Sequence, residues 1–314
     1  MFNRIGIIGG GTMGQGIAAS FARYGHPVSI FEPAEAQRSA ITPALIANYR
    51  LLVEENCMTA EAARRAVERV SIFDDLASAM EGCDFVVEAI PEKLSLKQAL
   101  FSQLEELCSP QAIFASNTSS LPLADMIAHL PEERRQRVLV THWYNPALLM
   151  PIVELSFFGN MDEQTYADVE QLHRSIGKQT VKVLKDVPGL VANRIQQAVA
   201  REVFSIIEQQ IAAPEDVDRA LKFGPAFRYA TTGQLEVADF GGLDIWCTVG
   251  DNLLPAMDAS KQANAMVRQL VEKGRLGVKT GEGFYTYDPS TVSDVRRAFM
   301  KRLIHQLKAS EAYI

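Results

Sequence analysis

His142 and Glu154 stand twelve positions apart in VTHWYNPALLMPIVEL, residues 140–155, in otherwise apolar surroundings. Imidazole titrates near neutrality, so a positioned histidine can take the proton of an alcohol while hydride leaves the same carbon. A carboxylate on the far ring nitrogen would fix the tautomer and stabilise the imidazolium that forms. Two strands joined by the short NPALLMP connection can bring the two residues together. The competing reading is a core histidine that donates to a backbone carbonyl. Base chemistry of this kind needs a hydride acceptor, so the choice turns on what the first thirty residues bind.

That segment, RIGIIGGGTMGQGIAASFARYGHPVSIFEP, opens with Ile5, Ile7 and Ile8, a short apolar run that predicts a buried parallel strand. Gly9, Gly11 and Gly14 follow in the spacing G-x-G-x-x-G, and Ile17, Ala18, Phe21 and Ala22 then recur at helical spacing up to Gly25. Gly9 permits the tight turn, Gly11 lets backbone approach a pyrophosphate, and Gly14 lets the helix pack on the strand. The helix start, Thr12 and Met13, offers free N–H groups and a partial positive charge to that anion. VSIF reads as the second strand, with Glu32 at its end to accept from ribose hydroxyls and to repel the extra phosphate of NADP. Strand, glycines, helix, strand and acid in register predict bound NAD; a glycine-rich turn that binds nothing is the alternative.

The elements that position these residues continue the pattern. ITPALIANYRLLVEEN and TAEAARRAVERV predict a helical pair with Thr59 as N-cap; DFVVEAI, AIFASN and RVLVTHW predict strands. Strands alternating with helices imply an α/β fold with a doubly wound parallel sheet, which binds ligands beyond the C-terminal strand ends. SNTSSL, AIPEKLSLK and THWYNP all lie there. Asp186, Pro188 and Gly189 then punctuate the chain, and helix follows helix. The expected organisation is a Rossmann-type NAD-binding domain, 1–186, followed by a mainly α-helical C-terminal domain, 187–314.

At 314 residues two domains are the natural division. A net charge of −7, with no basic run, disfavours a nucleic-acid or membrane surface. Cys57, Cys83, Cys108 and Cys247 are scattered, giving neither a zinc pattern nor a disulfide framework, which suits a reducing cytoplasm. No apolar window of eighteen residues and no signal-peptide pattern is present.

Six ordered motifs resemble the L-3-hydroxyacyl-CoA dehydrogenase family: GIIGGGTMGQGIA, VVEAIPEKLSLK, FASNTSSL, HWYNPALLMPIVEL, VPGLVANR and LGVKTGEGFYTY. The resemblance implies a Rossmann domain plus a helical dimerisation domain, hence a homodimer, and NAD-dependent interconversion of 3-hydroxyacyl and 3-ketoacyl substrates without a metal. It implies His142 as base and Glu154 as its orienting acid. Ser119 matches the serine on the substrate oxygen, and Asn193 the asparagine that polarises the reacting carbonyl. Asn145 shapes the same pocket, Glu92 and Lys97 match positions near the nicotinamide ribose, and Asn117 lies with the cofactor residues. Blander roles are open to some of these. Ser119 and Asn117 could cap a helix near LPLADM, Asn193 could start a helix, and Lys97 could be solvated charge.

Two departures bear on the substrate. Family members that use CoA carry lysines on the helix pair after Glu32, whereas QRSAITPALIANYRLLVEENCMTAEAA has only Arg38 and Arg50, against Glu54, Glu55 and Glu61. The segment GPAFRYATTGQLEVADFGGLDIW is similar to lambda-crystallin-type L-gulonate and to carnitine dehydrogenases, which oxidise free 3-hydroxy acids. Arg228 would then clamp a carboxylate through its planar fork, or else pair with Glu236 or Asp239. Trp143 and Tyr144 are expected to be packing residues. The leading expectation is a short-chain acyl-CoA thioester as substrate, with a free 3-hydroxy acid as the alternative. The 3-hydroxyisobutyrate and 6-phosphogluconate class is disfavoured because VANRIQQAVAREV offers no lysine, and a binding protein without catalysis by the intact set of four site residues.

Overall fold

A computed structural model describes residues 2–313. The chain divides into two compact units, Met1–Val191 and Ala192–Ile314, the division falling five residues beyond the expected 186/187 boundary.

In the first unit, eight strands form one sheet: β1 (Ile5–Ile8), β2 (Val28–Phe31), β3 (Val70–Phe73), β4 (Phe85–Glu88), β5 (Ile113–Ser116), β6 (Val138–Trp143), β7 (Ile152–Ser156) and β8 (Gln179–Val183). Their order is β3-β2-β1-β4-β5-β6-β7-β8, parallel throughout except for the antiparallel β6–β7 pair. The strands read as near-continuous apolar runs because helices cover both faces. These are α1 (Thr12–Arg23), α2 (Glu35–Glu54), α3 (Ala60–Glu68), α4 (Leu76–Met80), α5 (Leu94–Leu107), α6 (Leu123–Ile127), α7 (Glu132–Arg135) and α8 (Glu163–Ser175). The chain runs outward from β1 to β3, then returns across to β4, so the crevice lies between β1 and β4. Thr59 caps α3 as expected, accepting from Ala62 N at 3.1 Å.

Two strands escaped the sequence reading. The helix expected over TAEAARRAVERV runs through Val70, and no element is expected over 71–73; yet Val70–Phe73 repeats the VSIF of β2 and lies beside it in register, Val28 opposite Val70 and Phe31 opposite Phe73. QTVKV, β8, extends the sheet beyond the hairpin. Both are edge strands with half-exposed faces, which lack the solid apolar run that marks a central strand.

The second unit is built from α9 (Ala192–Glu208), α10 (Pro214–Phe223), α11 (Pro225–Tyr229), α12 (Gly233–Gly241), α13 (Leu243–Leu253), α14 (Ala265–Glu272) and α15 (Val292–Ser310). Its β structure among the described residues is limited to bridges from Glu282 to Gly277 and Thr286. Its interior is thin. Val217, Val237, Ala238 and Ile304 are buried, whereas Phe227, Leu235 and Phe240 are 70%, 83% and 84% exposed.

Candidate active site

The turn after β1 is shaped by glycine at two positions. Gly9 has φ +100°, and a Cβ there would meet the Ala89 carbonyl at 2.7 Å. A Cβ on Gly14 would stand 1.8 Å from the Gly9 carbonyl oxygen, so nothing larger fits where α1 leaves the turn. At Gly11 the protein itself offers only the end of Gln37, at 3.3 Å. Gly11 precedes the helix without a side-chain cap, leaving the first-turn N–H groups of Thr12 and Met13 to a ligand. Glu32, at the end of β2, accepts from Gly10 N at 2.8 Å and from Ala34 N at 2.9 Å. Each oxygen keeps a second lone pair for a hydroxyl donor. An uncapped helix start, an open approach over Gly11 and a nearby acid fit the two halves of a dinucleotide.

At the other end of the crevice, the β6–β7 hairpin sets His142 directly opposite Glu154. His142 Nδ1 lies 2.7 Å from Glu154 Oε2, and Glu154 is fully buried. A carboxylate only accepts, so Nδ1 carries the hydrogen and Nε2 keeps its lone pair. The other oxygen of Glu154 accepts from Val191 N at 2.9 Å, which fixes the plane of the carboxylate. Tyr144 packs its ring 5.0 Å from that of His142. Burial and the Glu154 charge push its phenol up to about 12, so it stays neutral through the working range. Trp143 N donates to Asn117 Oδ1 at 2.9 Å, tying the end of β5 to the strand that carries His142. Asn145, two residues on, is exposed and precedes a cis proline bond.

A second network organises the turn that holds Ser119. Lys97 is 1% exposed and bridges Glu88 at 2.9 Å and Glu92 at 2.8 Å. Glu92 Oε1 then accepts from Thr118 Oγ1, Ser119 N, Ser120 N and Ser120 Oγ. Burial opposes ionisation of Glu92, but the bonds from Lys97, Thr118 and Ser119 overcome it and hold the carboxyl down at about 2. Lys97 is therefore no solvated surface charge; its ammonium faces two carboxylates, and Glu92 is the member nearer solvent. Neither Asn117 nor Ser119 caps α6, whose start is Pro122 without a side-chain cap. Ser119 is instead tied at both backbone groups, its oxygen accepting from Gly189 N at 3.1 Å.

Asn193 and Arg228 belong to the second unit. Asn193 lies in the first turn of α9 and is half-buried; Arg228 is exposed on α11. The expected alternative partners of Arg228, Glu236 and Asp239, do not pair with it, and its guanidinium has no ion-pair partner among the described residues. On α2 and α3 three of the four arginines are committed, while Arg50 lines the groove between the two helices. Arg38 donates to the backbone oxygens of Glu32 and Pro33 and pairs with Asp74, while Arg64 and Arg65 pair with Glu68 and Glu61.

Sequence reasoning missed Glu88, Ser116 and Thr118, the buried partners that anchor Glu92 and Lys97. The signal was present in VVEAI, where an acid ends an otherwise apolar strand. Among the described residues no three His, Cys, Asp or Glu side chains cluster to hold a metal, and no helix is long and apolar enough to cross a membrane.

The comparisons agree on the family. Residues 4–187 match 3-hydroxyacyl-CoA dehydrogenase, NAD binding domain, and residues 189–287 match its C-terminal domain. The chain is 32% identical to 5-formyl-3-hydroxy-2-methylpyridine 4-carboxylate 5-dehydrogenase of Mesorhizobium japonicum, over 97% of both chains. A solved structure of such an enzyme, described as an NAD+-dependent dismutase, superposes with a TM-score of 0.91 at 30% identity and covers both chains fully. The (S)-3-hydroxybutyryl-CoA dehydrogenase of Ralstonia eutropha superposes with a TM-score of 0.73 at 29% identity, over 92% of this chain and 100% of that one.

Proposed function

The chain belongs to the 3-hydroxyacyl-CoA dehydrogenase family, and from that premise we propose that His142, oriented by Glu154, is the base of a dehydrogenase acting on a small free carboxylate that bears the reacting hydroxyl or carbonyl. The observation that carries the reaction is the His142–Glu154 contact at 2.7 Å, with Nε2 left as acceptor. NAD, the family's cofactor, supplies the hydride acceptor when bound at Gly9, Gly11, Thr12, Met13 and Gly14. His142 removes the hydroxyl proton, and Glu154 stabilises the cation that results. In this reading Ser119 and Asn193 hold the substrate oxygen, a role supported by their match to the family's motifs. Positioning of this kind supplies much of the rate.

The free-acid reading reverses the leading expectation from the sequence, and charge is the reason. A CoA thioester brings several phosphates, but Arg38, Arg64 and Arg65 are already engaged by carboxylates or carbonyls, which leaves Arg50 as the single uncommitted arginine among the described residues of α2 and α3. Arg228, by contrast, has its planar fork available for a carboxylate. The pyridine relative, alike over the full length, is itself named for a free carboxylate substrate. The CoA reading keeps one support of its own. A groove of about 390 Å³ between α2 and α3, lined by Ile46, Tyr49, Val53, Ala63 and Val67 with Arg50 at its side, offers an apolar or adenine surface one cation.

The deciding experiment measures NADH oxidation with acetoacetyl-CoA, with free 3-keto acids and with formyl-bearing aromatic carboxylates. A kcat/KM at least 100-fold higher for a free carboxylate is expected. Preference for acetoacetyl-CoA would return the CoA reading. Arg228→Met should raise KM for the free acid with little change in kcat, the mark of lost ground-state binding; an unchanged KM removes the clamp.

A further inference from the structure

Lys178 does not touch His142 or Glu154, yet its ammonium is buried under the loop that joins their strands. Residues 144–151 make that connection. Lys178 reaches in from the corner between α8 and β8 and donates to Ala147 O at 2.7 Å and Met150 O at 2.8 Å. Its nitrogen lies 5.2 Å from the centre of the Trp143 ring, the residue next to the base. Ser20 on α1 shares its hydroxyl hydrogen between Gly16 O of its own helix at 2.9 Å and the same Ala147 carbonyl at 3.2 Å. Gly16 lets the loop sit this close, since a Cβ there would stand 3.0 Å from the Cβ of Ala147.

The arrangement is costly if packing is its only purpose. A lysine 4% exposed gives up its hydration, and burial, with Arg23 nearby, pulls its pKa down to about 7. A methionine would fill similar space without that penalty. What methionine cannot do is satisfy two inward-facing carbonyls. One of these, Ala147 O, is also held by α1, the helix whose uncapped first turn would receive the cofactor. The loop carries Tyr144 and Asn145, so this single carbonyl couples the wall of the base's pocket to the cofactor helix.

We propose that Lys178 is a positioning residue that clamps the 144–151 loop against α1 and thereby sets the distance between the wall of the His142 pocket and α1, whose first turn would hold the dinucleotide. The inference rests on the reading of His142 as the base. Lys178→Met tests it. Hydrogen exchange of the 144–151 backbone should rise at least tenfold, and kcat should fall about 10–100-fold, the scale on which a displacement of about 1 Å acts. The Kd for NADH should stay within twofold. Ser20→Ala, which removes the bond to Ala147 together with a bond inside α1, should lower kcat in the same direction, and the two changes combined should be non-additive. A folded Lys178→Met enzyme with wild-type kcat overturns the proposal, as does a loss spread equally over kcat and NADH affinity. If Lys178→Met fails to fold, Ser20→Ala decides alone, and an unchanged kcat overturns it. An inactive wild type across the substrate panel defeats the functional reading instead, whereas an active wild type matched by the variants defeats only this inference.

Discussion

Two of the bonds that Glu154 accepts cannot both keep their direction once one oxygen becomes an amide nitrogen. Oε1 accepts from Val191 N and Oε2 from His142 Nδ1. In Glu154→Gln the amide keeps one acceptor, and the backbone N–H of Val191 requires it. The NH2 group then faces Nδ1, which must become the acceptor, and the proton moves to Nε2, where it blocks the base. We expect kcat to fall by about 10²–10⁴ with NADH affinity retained, the behaviour of a wrong tautomer. Normal activity in Glu154→Gln would mean that Nδ1 takes its hydrogen bond elsewhere. His142→Ala should cost about 10²–10⁴ in kcat, the usual worth of a general base. The pairing of these residues was legible because both are polar interruptions of an apolar hairpin. The Lys97 network was not, since a lysine on a helix reads as solvated until the fold places Glu88 and Glu92 around it.

At the scale of elements, α1 and α8 each depend on a residue that tolerates little change. Gly14→Ala brings a methyl to within 1.8 Å of a backbone oxygen, so α1 must shift off β1. Loss of NADH binding, followed by fluorescence titration, is expected with the second unit still helical. In α8, His173 is fully buried among Phe21, Phe85 and Trp143; Nδ1 donates to Val169 O, and Nε2 has no partner among the described residues. Burial, together with the nearby Lys178 charge, pulls its pKa down to about 4 from 6.5, against the bond to Val169. The sign follows from proton uptake. Between pH 6.5 and 4 the unfolded chain binds a proton that the folded one refuses, so the stability owed to neutral His173 is complete above 6.5 and lost toward 4. That loss is roughly 3 kcal/mol in all. His173→Gln should be less stable at pH 7 but flatter over this window in denaturant titrations; an unchanged slope would place the acid sensitivity elsewhere. Element types were legible where periodicity was strong, as in α1 and the central strands. They were not legible for the VSIF of β3, because a four-residue edge strand has the same letters as β2 without its burial.

For the whole molecule, the helical unit exposes more large apolar side chains than a free surface ordinarily carries, with Phe227, Leu235, Phe240 and Leu243 all well over half exposed. We expect a second copy of the chain to cover them. Sedimentation at micromolar concentration should give a dimer, Leu235→Glu with Phe240→Glu should give a monomer, and a wild-type monomer would remove the expectation. The charge that could not be read from sequence was the state of the arginines on α2 and α3, because partner choice among neighbouring acids is set only in three dimensions. One bond joins the scales. Val191, whose N–H is held by Glu154, is the last residue of the first unit, and the chain enters the second at Ala192. The carboxylate that pairs with His142 thus also holds the final backbone N–H of the first unit, so one side chain sets both the plane of the imidazole and the point where that unit ends.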